Sequence, residues 1–167
     1  TSYSLMGSVY QLLRKSLSFP LVEVWRHTQE EIMRFKKMSN AVLFAAGSCW
    51  EGVDFPGDRV SSLIIVRLPF AVPDPVREAE KERYGNLREY IDAVAVPDMQ
   101  KKLRQGFGRA IRTETDTCVV TILDHRAARG GRYYEDVLCA LPPCEMAESI
   151  EDVERFIGKR KNIDYYM

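Results

Sequence analysis

Short apolar runs rich in β-branched residues recur along this chain with helical stretches between them, and that alternation limits the possible folds more than any single motif does. The runs are "LVEVW" at 21 to 25, "NAVLFAAG" at 40 to 47, "VSSLIIVRLPF" at 60 to 70 and "DTCVVTILDHR" at 116 to 126. The first alternates apolar and polar residues, as a half-buried strand does. The second and third are continuous and suit strands buried on both faces of a parallel sheet. The last reads as a central strand. Met6, Val9, Tyr10, Leu12 and Leu13 share helical spacing, which predicts a helix over about Leu5 to Leu17, stopped by Pro20. Thr28 and Glu31 make a capping box that opens a helix of about ten residues. A charged helix from Pro73 to about Tyr84 ends in the turn "YGN", and a long helix runs from about Pro97 to Arg112. "YYEDVLCALPP" is a helix stopped by Pro142 and Pro143, and an amphipathic helix follows from about Ser149 to Lys161. Strands alternating with helices over 167 residues predict a single three-layer α/β domain, residues 1–167, with a mostly parallel sheet.

Composition excludes several classes. A content of 46% hydrophobic and 29% charged residues is that of a globular core, not of a disordered segment. Lys+Arg 24 against Asp+Glu 24 gives no net charge, so any contact with nucleic acid is local. The four cysteines, Cys49, Cys118, Cys139 and Cys144, have no zinc spacing and read as buried free thiols, with no metal site. The apolar runs Ala41 to Ala46 and Leu63 to Val66 are too short to cross a bilayer, and no secretory signal opens the chain, so a reducing cytoplasmic setting is expected. "TSYSLMGSVY" starts as if at the last residues of a strand entering a helix, an opening expected of a piece of something longer.

In parallel α/β sheets ligands bind at loops beyond the carboxyl ends of the strands. "GSCWEGVDFPG", 47 to 57, follows a strand and combines three glycines, two acids and a tryptophan. Such a loop can bring backbone NH groups to an anion; it can equally be a glycine-rich turn with Trp50 packed on the core. In "QGFGRAIR", 105 to 112, Gln105, Arg109 and Arg112 stand at i, i+4 and i+7, one face of a helix. Two arginines there can clamp phosphate oxygens, or form a solvated stripe bridged to acids. Gly106 and Gly108 each weaken a helix by roughly 1 kcal/mol, a cost that suggests close approach to the backbone. Asp124 and Arg126 in "ILDHR" either brace this helix or cap the strand end. His27 reads as a surface residue and His125 as a strand-end residue; neither has a nucleophile context.

"GSCWEGVDFPG", "RLPFAVPDP", "PDMQKKLRQGFGRAIR" and "ILDHR", in this order, resemble the second RecA-like motor domain of superfamily 2 DNA helicases of the XPD/DinG type. The likeness extends from "TSY", similar to motif IV, to the closing "ALPP". It implies a RecA-like, P-loop-NTPase-like α/β/α domain. Residues 47 to 57 match motif V, which places Glu51, Gly52 and Asp54 toward nucleotide and Ser48 and Trp50 toward DNA, with Ser2 of motif IV beside them. Residues 105 to 112 match motif VI, in which Gln105, Arg109 and Arg112 face the γ-phosphate, one arginine acting as a finger, and Gly108 lies against the nucleotide side. The glycines then permit packing against a partner motor domain. Cys49 stands where an aromatic is common and Cys118 where glycine is expected.

No GxxxxGK[ST] loop and no DExH or DExD box occurs in the chain, so it lacks its own P-loop. By the resemblance, the phosphate cradle and magnesium ligand belong to an N-terminal RecA-like domain that is this domain's partner, with ATP and Mg2+ bound mainly there. An iron-sulfur module found in some relatives also belongs to that half, and the cysteines here are not assigned to it. The implied activity is ATP-driven movement along single-stranded DNA, 5′ to 3′, with stacking on Trp50 or Phe70, and with no membrane partner. Alternatives are a nucleotide-regulated, non-helicase module attached to a nuclease, and a stand-alone interaction domain whose arginine face binds an acidic partner.

Overall fold

Strands of four residues alternate with short helices, as the spacing of the apolar runs predicts. The computed structural model describes residues 3–25, 29–47, 53, 55 and 59–161. Two compact units make up the chain. The first comprises Thr1–Leu63, Arg109–Val119 and Glu145–Met167, and the second Ile64–Gly108 and Val120–Cys144.

In the first unit, helix α1 (Tyr3–Leu13) leads to β1 (Leu21–Val24), α2 (Gln29–Lys36) and β2 (Val42–Ala45). β1 alternates as its sequence requires: Val22 and Val24 are buried, Leu21 and Glu23 only partly. It pairs in parallel with β2, from Leu21 opposite Val42 to Val24 opposite Ala45. Met6 of α1 and Ala46 join Val22 and Val24 in the core, and Tyr10 meets the ring of Phe44 edge-on at 5.5 Å. α1 stops at Leu13, where a tight turn replaces the expected last helical turn. The expectation that β2 is buried on both faces does not hold. β2 is half-buried and Ala45 is exposed, because among the described residues it has a strand neighbour on one side only. Thr28, the expected cap of α2, lies outside the described residues.

A second two-stranded sheet pairs β3 (Ser62–Ile65) with β4 (Val119–Ile122). Val119 N–H donates to the Ser61 carbonyl and Leu123 N–H to that of Ile65, each at 2.9 Å. Both strands advance by the same step in the same direction, so this pair is parallel too. β3 is also less buried than expected, with Ile64 58% exposed, and β4 is half-buried throughout. The described strands therefore form two parallel pairs, where the runs alone suggest one wider sheet.

The second unit holds helices α3 (Pro75–Lys81), α4 (Leu87–Tyr90), α5 (Val96–Ala110, of which the first thirteen residues belong here) and α6 (Tyr134–Ala140). Asp74 caps α3 by accepting from Arg77 N–H, with Pro75 in the first turn where its missing N–H costs nothing. Asn86 caps α4 in the same way. The surprise is Pro97. Read as the start of a helix, it instead lies inside a longer one: α4 passes through a π-helical stretch, Ile91–Ala95, directly into α5. A proline within a helix removes one hydrogen bond and crowds the preceding turn, and a wider π-turn just before it absorbs both effects. α7 (Ile150–Arg160), in the first unit, begins where the sequence predicts, and the Ser149 hydroxyl caps it by accepting from Asp152 N–H. Cys139 and Cys144 are exposed and Cys118 half-buried, which corrects the reading of buried thiols; Cys49 lies outside the described residues.

Candidate functional site

α5 carries the cationic motif, and its packing explains which side faces out. Val96, Met99, Leu103, Gly106 and Ala110 recur at spacings of three and four, and all are buried, Met99 and Leu103 completely. Gln105 and Arg109, one turn apart, lie on the opposite side; Gln105 is exposed and Arg109 half-buried. Gly106 thus belongs to the inward, buried stripe of the helix. Gly108 is different: a β-carbon added there meets no atom within 4 Å.

Arg112 does not continue this face. α5 ends at Ala110, so the helical spacing that grouped Arg112 with Gln105 and Arg109 fails for its last member. A turn places Arg112 instead. The Asp116 carboxylate accepts from Arg112 N–H at 2.8 Å and Thr113 N–H at 2.9 Å, closing the chain behind the helix and leaving the Arg112 side chain exposed. Those donors, that of Arg112 first, hold the Asp116 carboxyl below its ordinary range.

The glycine-acid loop leaves β2 at Gly47, whose φ of 60° is a left-handed conformation that glycine adopts without strain. Beyond it, Val53 is buried and Phe55 meets Phe35 of α2 edge-on at 5.7 Å, with the Lys36 ammonium 6.0 Å from the Phe55 ring. Arg59 donates to the Lys36 carbonyl at 2.6 Å. The return of the loop is thereby anchored on α2. Ser48, Trp50, Glu51, Gly52 and Asp54, and also Ser2 and His27, lie outside the described residues.

"RLPF" and "ILDHR" meet at one buried carboxylate. Asp124, 7% exposed, accepts from Leu68 N–H at 3.0 Å, from Arg126 N–H at 3.1 Å, and from Arg126 Nε and Nη2 at 2.9 and 2.7 Å. The Arg126 guanidinium beside it, and then these backbone donors, hold its carboxyl far below the usual carboxylate range against the opposing effect of burial. Arg126 in turn lies over the rings of Phe70 at 5.2 Å and Tyr133 at 5.8 Å, which touch each other at 4.8 Å. Asp124 therefore caps the strand end and ties it to "RLPF"; among the described residues its hydrogen bonds go to Leu68 and Arg126, and none to the arginine helix. Phe70, expected as a stacking residue, already has its ring engaged. His125 is exposed at the strand end, as read.

The residues present fit a phosphate contact, with guanidinium donors and an open glycine on one helix and the turn that follows it. Among the described residues no cluster of three or more acids, histidines or cysteines could hold a metal ion, and no helix is long and apolar enough to cross a membrane. The spacing of residues gave no role to Tyr3 and Trp25, whose rings stack at the carboxyl ends of β1 and β2. The signal available was a tryptophan directly after a parallel strand.

Comparison with known proteins gives concordant results. The family model described as helicase C-terminal domain matches residues 1–144. The chain is 31% identical over 171 residues to "3'-5' exonuclease DinG" of Bacillus subtilis, covering 96% of this chain and 18% of that protein. It is 34% identical over 164 residues to "ATP-dependent DNA helicase YoaA" of Escherichia coli, covering 95% of this chain and 25% of that protein. A solved XPD helicase structure aligns with a TM-score of 0.65 at 23% identity, over 87% of this chain and 27% of that one, a likeness of fold. The chain thus spans a quarter or less of the curated relatives described here.

Proposed function

Since the chain belongs to the helicase C-terminal domain family, and to its XPD/DinG type, we propose that it is the second motor half of an ATP-dependent DNA helicase and completes an ATP site shared with an N-terminal RecA-like domain. The observation that carries this is the outward side of α5: Gln105 and Arg109 one turn apart, beside a Gly108 whose β-position is open. A helix face that presents a guanidinium and an amide beside bare backbone is suited to close approach by a phosphate-bearing partner surface. Arg109 or Arg112 stabilises the charge that develops on the transferred phosphoryl group, and Gln105 orients the attacking water. Glu51, Gly52 and Asp54 line the nucleotide side of the motif V loop, while Ser2, Ser48 and Trp50 contact DNA.

In this reading the phosphate cradle and the magnesium ligands come from the partner domain, as does any iron-sulfur cluster. ATP binding closes the two halves on each other and hydrolysis reopens them, moving the protein along single-stranded DNA, 5′ to 3′ by the family resemblance, in the cytoplasm. A second reading has one specific support, the name of the Bacillus subtilis relative as a 3′-5′ exonuclease: the same domain then regulates an attached nuclease through nucleotide binding.

Calorimetric titration of Mg-ATP into the 167-residue chain and into the full-length protein tests the shared site. The chain alone is expected to bind weakly and hydrolyse nothing, and the full-length protein to do both. Hydrolysis by the chain alone would show that it carries a complete site and would refute the proposal.

A further inference from the structure

We infer that Asp116 is a positioning residue: its carboxylate fixes the turn from which Arg112 reaches the shared ATP site. The assignment rests on the motor reading above and adds to it a residue outside the stretch 105 to 112 that resembles motif VI. α5 ends at Ala110, so the backbone of Arg112 lies outside the helix. One oxygen of Asp116, Oδ2, accepts from Arg112 N–H at 2.8 Å and from Thr113 N–H at 2.9 Å. Asp116 N–H donates back to the Thr113 carbonyl at 3.2 Å, and the hydroxyls of Thr113 and Thr115 lie 3.0 Å apart. Shortly after, Val119 opens β4, and its N–H donates to the Ser61 carbonyl at 2.9 Å. The strand therefore fixes Asp116 from one side, and Asp116 fixes the backbone of Arg112 on the other.

Exposed N–H groups can be satisfied by water, so a turn that only joined α5 to β4 has no need of a shared acceptor. Arg112, Thr113, Glu114 and Thr115 are all exposed, and the turn covers no core of its own. Its rigidity serves instead the residue at its head. Stabilising the charge on a transferred phosphoryl group depends on where the guanidinium starts from, and a displacement of about 1 Å costs up to about 100-fold in rate. With its N–H held, Arg112 has only side-chain freedom to lose when the partner domain closes. The donors Arg112 N–H and Thr113 N–H, and after them the Thr113 hydroxyl and the charge of Lys161, keep the carboxyl below its ordinary range. Lys161 is buried at the end of α7, so a positive charge from that helix accompanies the acid. Both backbone bonds end on one oxygen, which the amide of asparagine also supplies.

The test is single-stranded-DNA-stimulated ATP hydrolysis by the full-length protein, with kcat and KM for ATP separated. Asp116→Ala is expected to lower kcat about 10- to 100-fold and to leave KM within about 2-fold. Asp116→Asn, which keeps the acceptor, is expected to stay within about 3-fold of wild type in kcat, which separates lost placement from lost charge. In an Arg112→Ala background Asp116→Ala is expected to cost nothing further, whereas a general folding defect multiplies with it. Asp116→Glu, which keeps the charge but displaces the acceptor, carries the same test if the alanine variant does not fold, with a loss in kcat of about 3-fold or more. Wild-type kcat in Asp116→Ala and Asp116→Glu, a loss in Asp116→Asn equal to that in Asp116→Ala, or an equal loss with and without Arg112 overturns the positioning role while the shared site stands. Wild-type turnover by Arg112→Ala overturns it too, because the positioned residue then has no task, and leaves Arg109 as the arginine of the shared site. No ATP hydrolysis by the wild-type full-length protein overturns the motor reading and the positioning role with it.

Discussion

Replacing Asp124 by alanine removes four hydrogen bonds at once from a nearly buried site, and the structure sets the size of the loss. Leu68 is itself buried, so its N–H, 3.0 Å from the carboxylate, is left without an acceptor at a cost of about 1–3 kcal/mol. Loss of the cap on Arg126 N–H adds about 1 kcal/mol. The ion pair adds less than about 1 kcal/mol, because the Arg126 side chain is 38% exposed and regains water when its partner is removed. Together these give a destabilisation of about 2–5 kcal/mol. Asp124→Asn keeps the size and one acceptor and is expected to lose about half as much. Urea denaturation followed by circular dichroism measures both as shifts of midpoint at constant slope. A double-mutant cycle with Arg126→Ala then isolates the pair. A loss below about 0.5 kcal/mol for Asp124→Ala, within the range of ordinary surface substitutions, would refute the claim that this carboxylate ties "RLPF" to the strand end.

The same carboxylate has a pH signature. Its folded pKa is held below the unfolded value of about 3.9, so its contribution is complete well above that pH and is lost as pH falls through and below it; the stability gap between wild type and Asp124→Asn should narrow from pH 6 to pH 3, and a constant gap contradicts the assignment. Gly131→Ala places a β-carbon 2.6 Å from the Arg126 carbonyl oxygen and 2.8 Å from that of Ala128, backbone atoms that cannot swing aside. It should destabilise by about 1–3 kcal/mol in the same denaturation assay, and an unchanged midpoint argues against that turn geometry. Gly108→Ala, where no atom lies within 4 Å, should stabilise the chain by about 0.5–1 kcal/mol yet lower ATP turnover in the full-length protein by obstructing the partner surface; full turnover in a stabilised variant counts against close approach there.

Much of the fold was legible because its signals are local. Alternation in "LVEVW" gave β1 and its inward valines; Ser149 gave the start of α7; Pro142 and Pro143 marked the end of α6. What was not legible depends on distance or on geometry that spacing ignores. Pro97 reads as a helix start on propensity alone, and only the π-stretch before it, stabilised by the burial of Tyr90 and Val96, carries the helix through. Arg112 shares helical spacing with Arg109, but two backbone N–H groups captured by Asp116 end that spacing early. The bond from Leu68 N–H to Asp124 joins residues 56 apart in sequence, which no local pattern records. At the candidate site, the outward side of α5 was visible as Gln105 and Arg109, whereas the inward role of Gly106 needed the buried stripe to be seen.

The central claim is that this domain supplies the arginine that completes a shared ATP site. Single-stranded-DNA-stimulated ATP hydrolysis by the full-length protein, wild type against Arg109→Ala and Arg112→Ala, tests it most directly. A fall in turnover of about 10³-fold or more for one of them, with ATP binding and folding retained, is the expected result. Turnover at the wild-type rate by both variants would contradict the account and leave the cationic end of α5 as a surface for some other partner.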